Sequence, residues 1–97
     1  MNEENKIQAI FKWKNKNSGD EFFDYNDNEY SSEEEAMLTF FENYKQKSDV
    51  LTPLEIWSSN NCYNFHYIAQ YWLHSGWIND DTAEEIIVTA TNKELNS

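Results

Sequence analysis

The chain has 97 residues, enough for one domain spanning 1–97 and too few for two. Eighteen Asp and Glu stand against seven Lys and no Arg, a net charge of -11, which argues against a surface that grips DNA or RNA phosphates or an anionic membrane. The single cysteine, Cys62, rules out an internal disulfide, while four Trp, six Tyr and six Phe supply the apolar area a small core needs.

The first five residues lack the basic and apolar stretches of a signal peptide, and no apolar run approaches the length of a membrane span. With the lone cysteine, this points to a reducing compartment, the cytoplasm. From Lys6 to Lys14, apolar Ile7, Ala9, Phe11 and Trp13 alternate with polar Lys6, Gln8, Lys12 and Lys14. That period of two predicts a half-buried strand. Asn15 to Gly19 has the composition of a turn, and Phe22, Phe23 and Tyr25 suit a second strand, so a β-hairpin is expected over about 5–26.

Ser31 with Glu34 and Ser32 with Glu35 both match a capping box, and Met37, Phe40, Phe41 and Tyr44 form one apolar stripe. A helix is expected over about 33–46. Thr52-Pro53-Leu54-Glu55 resembles a second helix start, with Thr52 as cap and Pro53 in the first turn, giving a short helix over about 53–59. A third helix is expected over about 61–75, where Phe65, Ile68, Ala69 and Trp72 share a stripe and Gly76 suits a left-handed stop. Asp80 or Asp81 then caps a segment over about 82–93. Ala83, Ile86, Ile87 and Ala90 favour a helix there; the β-branched run Ile86-Ile87-Val88-Thr89 favours a strand. The expected fold is α+β, a hairpin packed by three or four helices.

The distribution of charge carries the functional signal. No Lys falls between Lys16 and Lys45, nor between Lys47 and Lys93. The first interval holds Asp20, Glu21, Asp24, Asp27, Glu29, Glu33, Glu34, Glu35 and Glu42; the second holds Asp49, Glu55, Asp80, Asp81, Glu84 and Glu85. A solvated helix face usually mixes signs at i, i+4, whereas these tracts leave their field uncompensated. Carboxylates held in rows on rigid elements imitate a duplex, which carries one negative charge per about 1.7 Å of axis. The candidate partner-binding residues are Asp24, Asp27, Glu29, Glu33, Glu34, Asp80, Asp81 and Glu84.

The base-free run Asp20 to Glu42, the cluster Asp80-Asp81-Thr82-Ala83-Glu84-Glu85 and the short aromatic-rich chain resemble the phage-encoded DNA mimics. The resemblance is to the small acidic anti-CRISPR proteins that occupy the DNA channel of a type I surveillance complex. It lies in size, charge and texture over the whole chain and involves no motif. It implies a non-catalytic inhibitor, without cofactor or metal, that competes with DNA for Lys and Arg of a CRISPR effector in a bacterial cytoplasm. The alternative is an acidic immunity protein that blocks the catalytic cleft of a nuclease toxin. Tyr25, Tyr30, Trp57 and Trp77 are its candidate anchors, with core packing the competing role for Trp57 and Trp77. The charge excess would also serve solubility alone.

Two metal readings are weak. Asp24, Asn26, Asn28, Tyr30, Ser32 and Glu35 take the ligand positions of a calcium loop, but Glu29 stands where that loop needs Gly. Cys62, His66 and His74 lack a fourth ligand for zinc, and Cys62 with His66 lacks the third group a nucleophile needs.

Overall fold

The computed structural model describes residues 6–25, 29–58 and 61–92. In chain order these form β1 (Ile7–Asn15), β2 (Glu21–Asp24), β3 (Glu29–Tyr30), α1 (Glu33–Lys47), β4 (Leu51–Ser58), β5 (Asn61–Asn64), α2 (Phe65–His74) and α3 (Asp80–Thr91). The class is α+β, but the sheet has five strands rather than two. β1 lies at its centre in the order β2-β1-β4-β5, all antiparallel, with β3 also pairing β1.

The expected hairpin is present, built as its turn residues dictate. The Asn15 side chain accepts from the N–H groups of Asn17 and Ser18 at 2.8 and 3.0 Å, and Gly19 takes a φ of 82°. That left-handed conformation admits Gly without the Cβ penalty other residues suffer. Ala9, Phe11 and Trp13 are buried on the face that the helices cover, as the alternation predicts.

The expected helix over 53–59 does not form: Leu51–Ser58 is strand β4, hydrogen-bonded to β1 along its length. The pairing register slips between Lys12 and Trp13, from Lys12 opposite Glu55 to Trp13 opposite Pro53, leaving Leu54 as the extra residue of a bulge. Pro53 is tolerated because β5 pairs only Glu55–Ser58, so the proline's second edge faces no strand. Thr52, read as a helix cap, is buried in the strand at 1% exposure. The expected helix over 61–75 is likewise split. Its first four residues are β5, which turns at Asn64, whose side chain caps α2 by accepting from His66 and Tyr67 N–H at 3.0 and 3.3 Å.

α2 ends as expected. Gly76, at φ 82°, lets Trp77 N–H reach Trp72 carbonyl and Gly76 N–H reach Leu73 carbonyl, both at 3.0 Å. The last segment is a helix and not a strand. Its cap is Asn79 rather than Asp80 or Asp81, accepting from Thr82 N–H at 2.9 Å, and it ends at Thr91. At α1 the cap is Ser32, which accepts from Glu35 N–H at 3.1 Å. The Glu35 carboxylate reaches back one residue further than a capping box requires, accepting from Ser31 N–H at 2.7 Å and from the Ser31 hydroxyl.

An aromatic nucleus joins the layers. Phe40 of α1 stacks on Phe11 at 4.4 Å and meets the edges of Trp13 and Trp72 at 4.8 and 5.6 Å. Where β1 ends, Lys14 is buried as well as Trp13. Its ammonium donates to the carbonyls of Thr89, Ala90 and Asn92 at the end of α3, at 3.1, 3.2 and 2.5 Å. The cation thus satisfies orphan carbonyls where the helix dipole is negative.

Candidate partner-binding surface

The acids gather at two helix starts. Glu33 and Glu34 occupy the first turn of α1, and Asp80 and Asp81 the first turn of α3, with Glu84 one turn on. The first turns arise from caps at Ser32 and Asn79, and the positive end of each helix dipole stabilises the carboxylates there. Ala83 and Ile86 anchor α3 to the core, which leaves Asp81, Glu84 and Glu85 on its outer stripe.

The two stations are separated along α1. Glu33 accepts from the Tyr67 hydroxyl at 3.2 Å, near the α1 start. Tyr44, in the fourth turn of α1, lines a depression of about 710 Å³ together with Thr82 and Glu85 of α3. Eleven residues of helix separate Glu33 from Tyr44, about 16 Å at 1.5 Å per residue. Among the described residues the only ion pairs are Lys12 with Glu21 and Glu55, Lys16 with Glu85, and Lys45 with Glu42. Glu34, Asp80, Asp81 and Glu84 are exposed and face no cation among those residues.

Two candidates fall elsewhere. Asp24 is half-buried on β2 opposite Phe11, on the helix-bearing side of the sheet. Glu29 is exposed on β3 opposite Gln8, on the other side. Asp27 lies outside the described residues, as do Asn26 and Asn28 of the calcium-loop pattern. Glu35, the bidentate ligand that pattern needs, is taken up by Ser31, whose side-chain and then backbone hydrogen bonds hold its carboxyl below the usual range. Cys62 and His66 are not on one helix: Cys62 is exposed on β5, while His66 begins α2. Partial desolvation, then the charge and hydrogen bond of Glu55, push the Cys62 thiol up, away from the reactive thiolate.

The sequence reading passed over a tyrosine ladder beside Glu33. Tyr63 stacks on Tyr67 at 4.2 Å, Tyr67 lies 6.0 Å from Tyr71, and Tyr71 lies 6.0 Å from Trp77. Tyr67 and Tyr71, four apart on α2, line a second groove of about 290 Å³ with Gln70, His74 and Ser75. Their i, i+4 spacing was the available signal. Of the four proposed anchors, Tyr25 and Trp57 are exposed at 70% and 44%, so Trp57 is not a core residue. Trp77 packs at 5.4 Å on Phe41, and Tyr30 at 6.1 Å on Phe11.

Desolvation first, then the Glu33 charge and hydrogen bond, push the Tyr67 phenol from 10.0 up to about 12. A folded value above the unfolded one contributes stability that is complete below pH 10.0 and is lost as the pH rises towards about 12. In an alkaline absorbance titration the Tyr67 phenolate, with those of Tyr44 and Tyr71 that burial also pushes up, is expected to appear after the other tyrosines, and Glu33→Gln to bring the Tyr67 one earlier. Simultaneous ionisation of every tyrosine near its ordinary value would contradict the Tyr67–Glu33 arrangement. Comparison of the chain with known protein families, with characterised proteins and with solved structures gives no match.

Proposed function

We propose that this protein is a non-catalytic inhibitor that presents carboxylates to the basic, DNA-handling site of a partner, with a CRISPR surveillance complex as the expected class of target. The observation that carries the reading is the exposure of Glu34, Asp80, Asp81 and Glu84 on the first two turns of helices, without a cation opposite among the described residues. Carboxylates on rigid helix starts lose less freedom on binding than those on a tail, and their field steers a basic channel towards them. Glu33 joins them at the first station; Glu29 stands off on the sheet's other side, and Asp24 is half covered.

The test is capture from a bacterial lysate on the immobilised chain, followed by elution with short duplex DNA. Release by DNA is expected, together with weakening between low and moderate salt. Changing Glu33, Glu34, Asp80, Asp81 and Glu84 to their amides is expected to lower affinity about 100-fold or more, at about 0.5–1 kcal/mol for each lost pair. A captured partner indifferent to DNA, salt and these substitutions would sink the proposal.

The second reading, an immunity protein seated in a nuclease cleft, is favoured by one feature: the tyrosine ladder beside Glu33. Aromatic anchors with charged neighbours concentrate binding energy. A single substitution, Tyr67→Ala, would then remove most of the affinity, whereas mimicry spreads the loss over many carboxylates.

A further inference from the structure

Among the described residues the chain twice seats one of its own cations between a ring and a carboxylate. The Lys12 ammonium lies 5.1 Å from the centre of the Phe23 ring and 3.4 Å from Glu21. The Lys45 ammonium lies 5.3 Å from that of Phe41 and 3.6 Å from Glu42. Rings and acids also meet where α2 passes the start of α1. There, among the described residues, no lysine lies over a ring and neither Glu33 nor Glu34 forms an ion pair. Tyr67, Gln70, Tyr71 and His74, at i, i+3, i+4 and i+7, line one groove of about 290 Å³ along α2. The Tyr67 hydroxyl donates to Glu33 Oε2 at 3.2 Å, which ties this groove to the α1 start. Burial first, then the charges of Glu34 and Glu33, push the Tyr71 phenol up, so both carboxylates act on the groove. Lys6, whose charge reaches the same helix start, acts on Glu35.

We propose that this groove is a guanidinium seat, taking an arginine side chain of a basic partner that stacks on Tyr67 and Tyr71 and bonds to Glu33 and Glu34. The face of an aromatic ring attracts a cation set over it. The Tyr67 ring is 36% exposed, yet it is held from two directions, by Tyr63 stacked at 4.2 Å and by Glu33 at its hydroxyl. A ring fixed before binding loses little freedom on binding. Tyr71 follows at 6.0 Å, tilted by 55°. The shape of the charge selects arginine over lysine. A guanidinium is planar and weakly hydrated, and it stacks on a ring while its N–H donors fork outward in its own plane. Those donors have acceptors at hand in the carboxylates of Glu33 and Glu34 and in the Gln70 amide oxygen. An ammonium is a compact, strongly hydrated point charge that cannot stack. An apolar occupant would desolvate the two carboxylates without pairing them, and an anionic one would be repelled. A second copy has no arginine to offer. The inference rests on the charge reading for its source of arginine, a basic partner; the groove itself does not depend on that reading.

Titration of the full chain with N-acetyl-arginine amide, and separately with N-acetyl-lysine amide, followed by NMR of the aromatic side chains, tests it. For the arginine compound, saturable shifts are expected at the Tyr67 and Tyr71 rings, with a Kd on the order of 1–10 mM, the scale of a small fragment. The lysine compound carries the same charge and is expected to bind about fivefold more weakly or worse. Tyr67→Leu and, independently, Tyr71→Leu keep apolar bulk but remove a ring, and each is expected to raise the Kd of the arginine compound about fivefold or more. Val88→Ser, an exposed apolar change on α3, should leave it unchanged. Circular dichroism checks that each variant is folded, and Tyr71→Leu decides the matter if Tyr67→Leu is not. No saturable shift at these rings, equal binding of the two compounds, or folded Leu variants that bind like the parent chain would overturn the inference. The two readings fail separately. A partner released by DNA from a chain whose tyrosines ignore arginine would sink the seat and leave the charge reading standing. Arginine bound at the tyrosines of a chain whose captured partner ignores DNA and salt would do the reverse.

Discussion

Phe40→Ala is expected to lower the free energy of unfolding by about 4 kcal/mol, by the cost of emptying a fully buried aromatic site. Phe40 has no exposed surface and touches Phe11 and Trp13 of β1 and Trp72 of α2, so its ring binds sheet, α1 and α2 at one point. Truncation removes the stacked contact and both edge contacts at once. The surrounding rings come from two other elements, β1 and α2, and cannot all move in to fill the space. Domains of this size are stable by about 5–15 kcal/mol, so the variant is expected to sit near the margin of folding. Phe40→Leu, which refills most of the volume, is expected to cost about 1–1.5 kcal/mol. Urea unfolding of both variants checks the pair of values. A loss for Phe40→Ala no larger than for Phe40→Leu would mean that the site collapses and that the nucleus is looser than its ring geometry indicates.

Lys14→Met is expected to cost about 3 kcal/mol and to lower Tm by roughly 15 °C, from the strength of hydrogen bonds to charged groups and the entropy of unfolding of a small domain. Lys14 is 4% exposed, and its three acceptors are carbonyls that α3 cannot satisfy within itself. Methionine keeps the stem and leaves the carbonyls without their donor. Lys16→Met is the internal comparison: among the described residues the Lys16 ammonium meets only the exposed Glu85, at 3.5 Å, and such pairs contribute about 0–1 kcal/mol. Thermal unfolding of the two variants side by side distinguishes them. Equal Tm values would show that water replaces the Lys14 ammonium without loss.

Local chemistry was legible where one signal acted alone. The alternation from Ile7 to Trp13, the Asn15–Gly19 turn, the Ser32 cap with the stripe from Met37 to Tyr44, and the Gly76 stop all appear in the fold. The failure at Thr52–Glu55 has a specific cause. The same four residues that open a helix also fit a bulged strand, and the choice is made by pairing with β1, some forty positions earlier. Leu54 and Ile56 are both buried, on either side of half-buried Glu55, a period-two pattern that the proline obscured. Asn61–Asn64 became a strand because it pairs with the free edge of β4, which no local propensity announces. The acids of the candidate surface were legible as acids, since exposure of Asp80, Asp81 and Glu84 follows from their type. Their neighbours were not. Tyr67 reaches Glu33 across 34 positions of chain, and Trp57 is exposed because helices cover only one face of the sheet it lies on.

The Lys14 clasp also orders events in time. Its acceptors lie 75 to 78 positions further along the chain, and β1 finds its main partner, β4, only after α1 has been made. Closing such long loops costs entropy before any contact repays it. The strand made first is therefore among the last to be fully satisfied. During synthesis β1 waits with a lysine that belongs inside, and the native state becomes reachable only once residues 89–92 have left the ribosome.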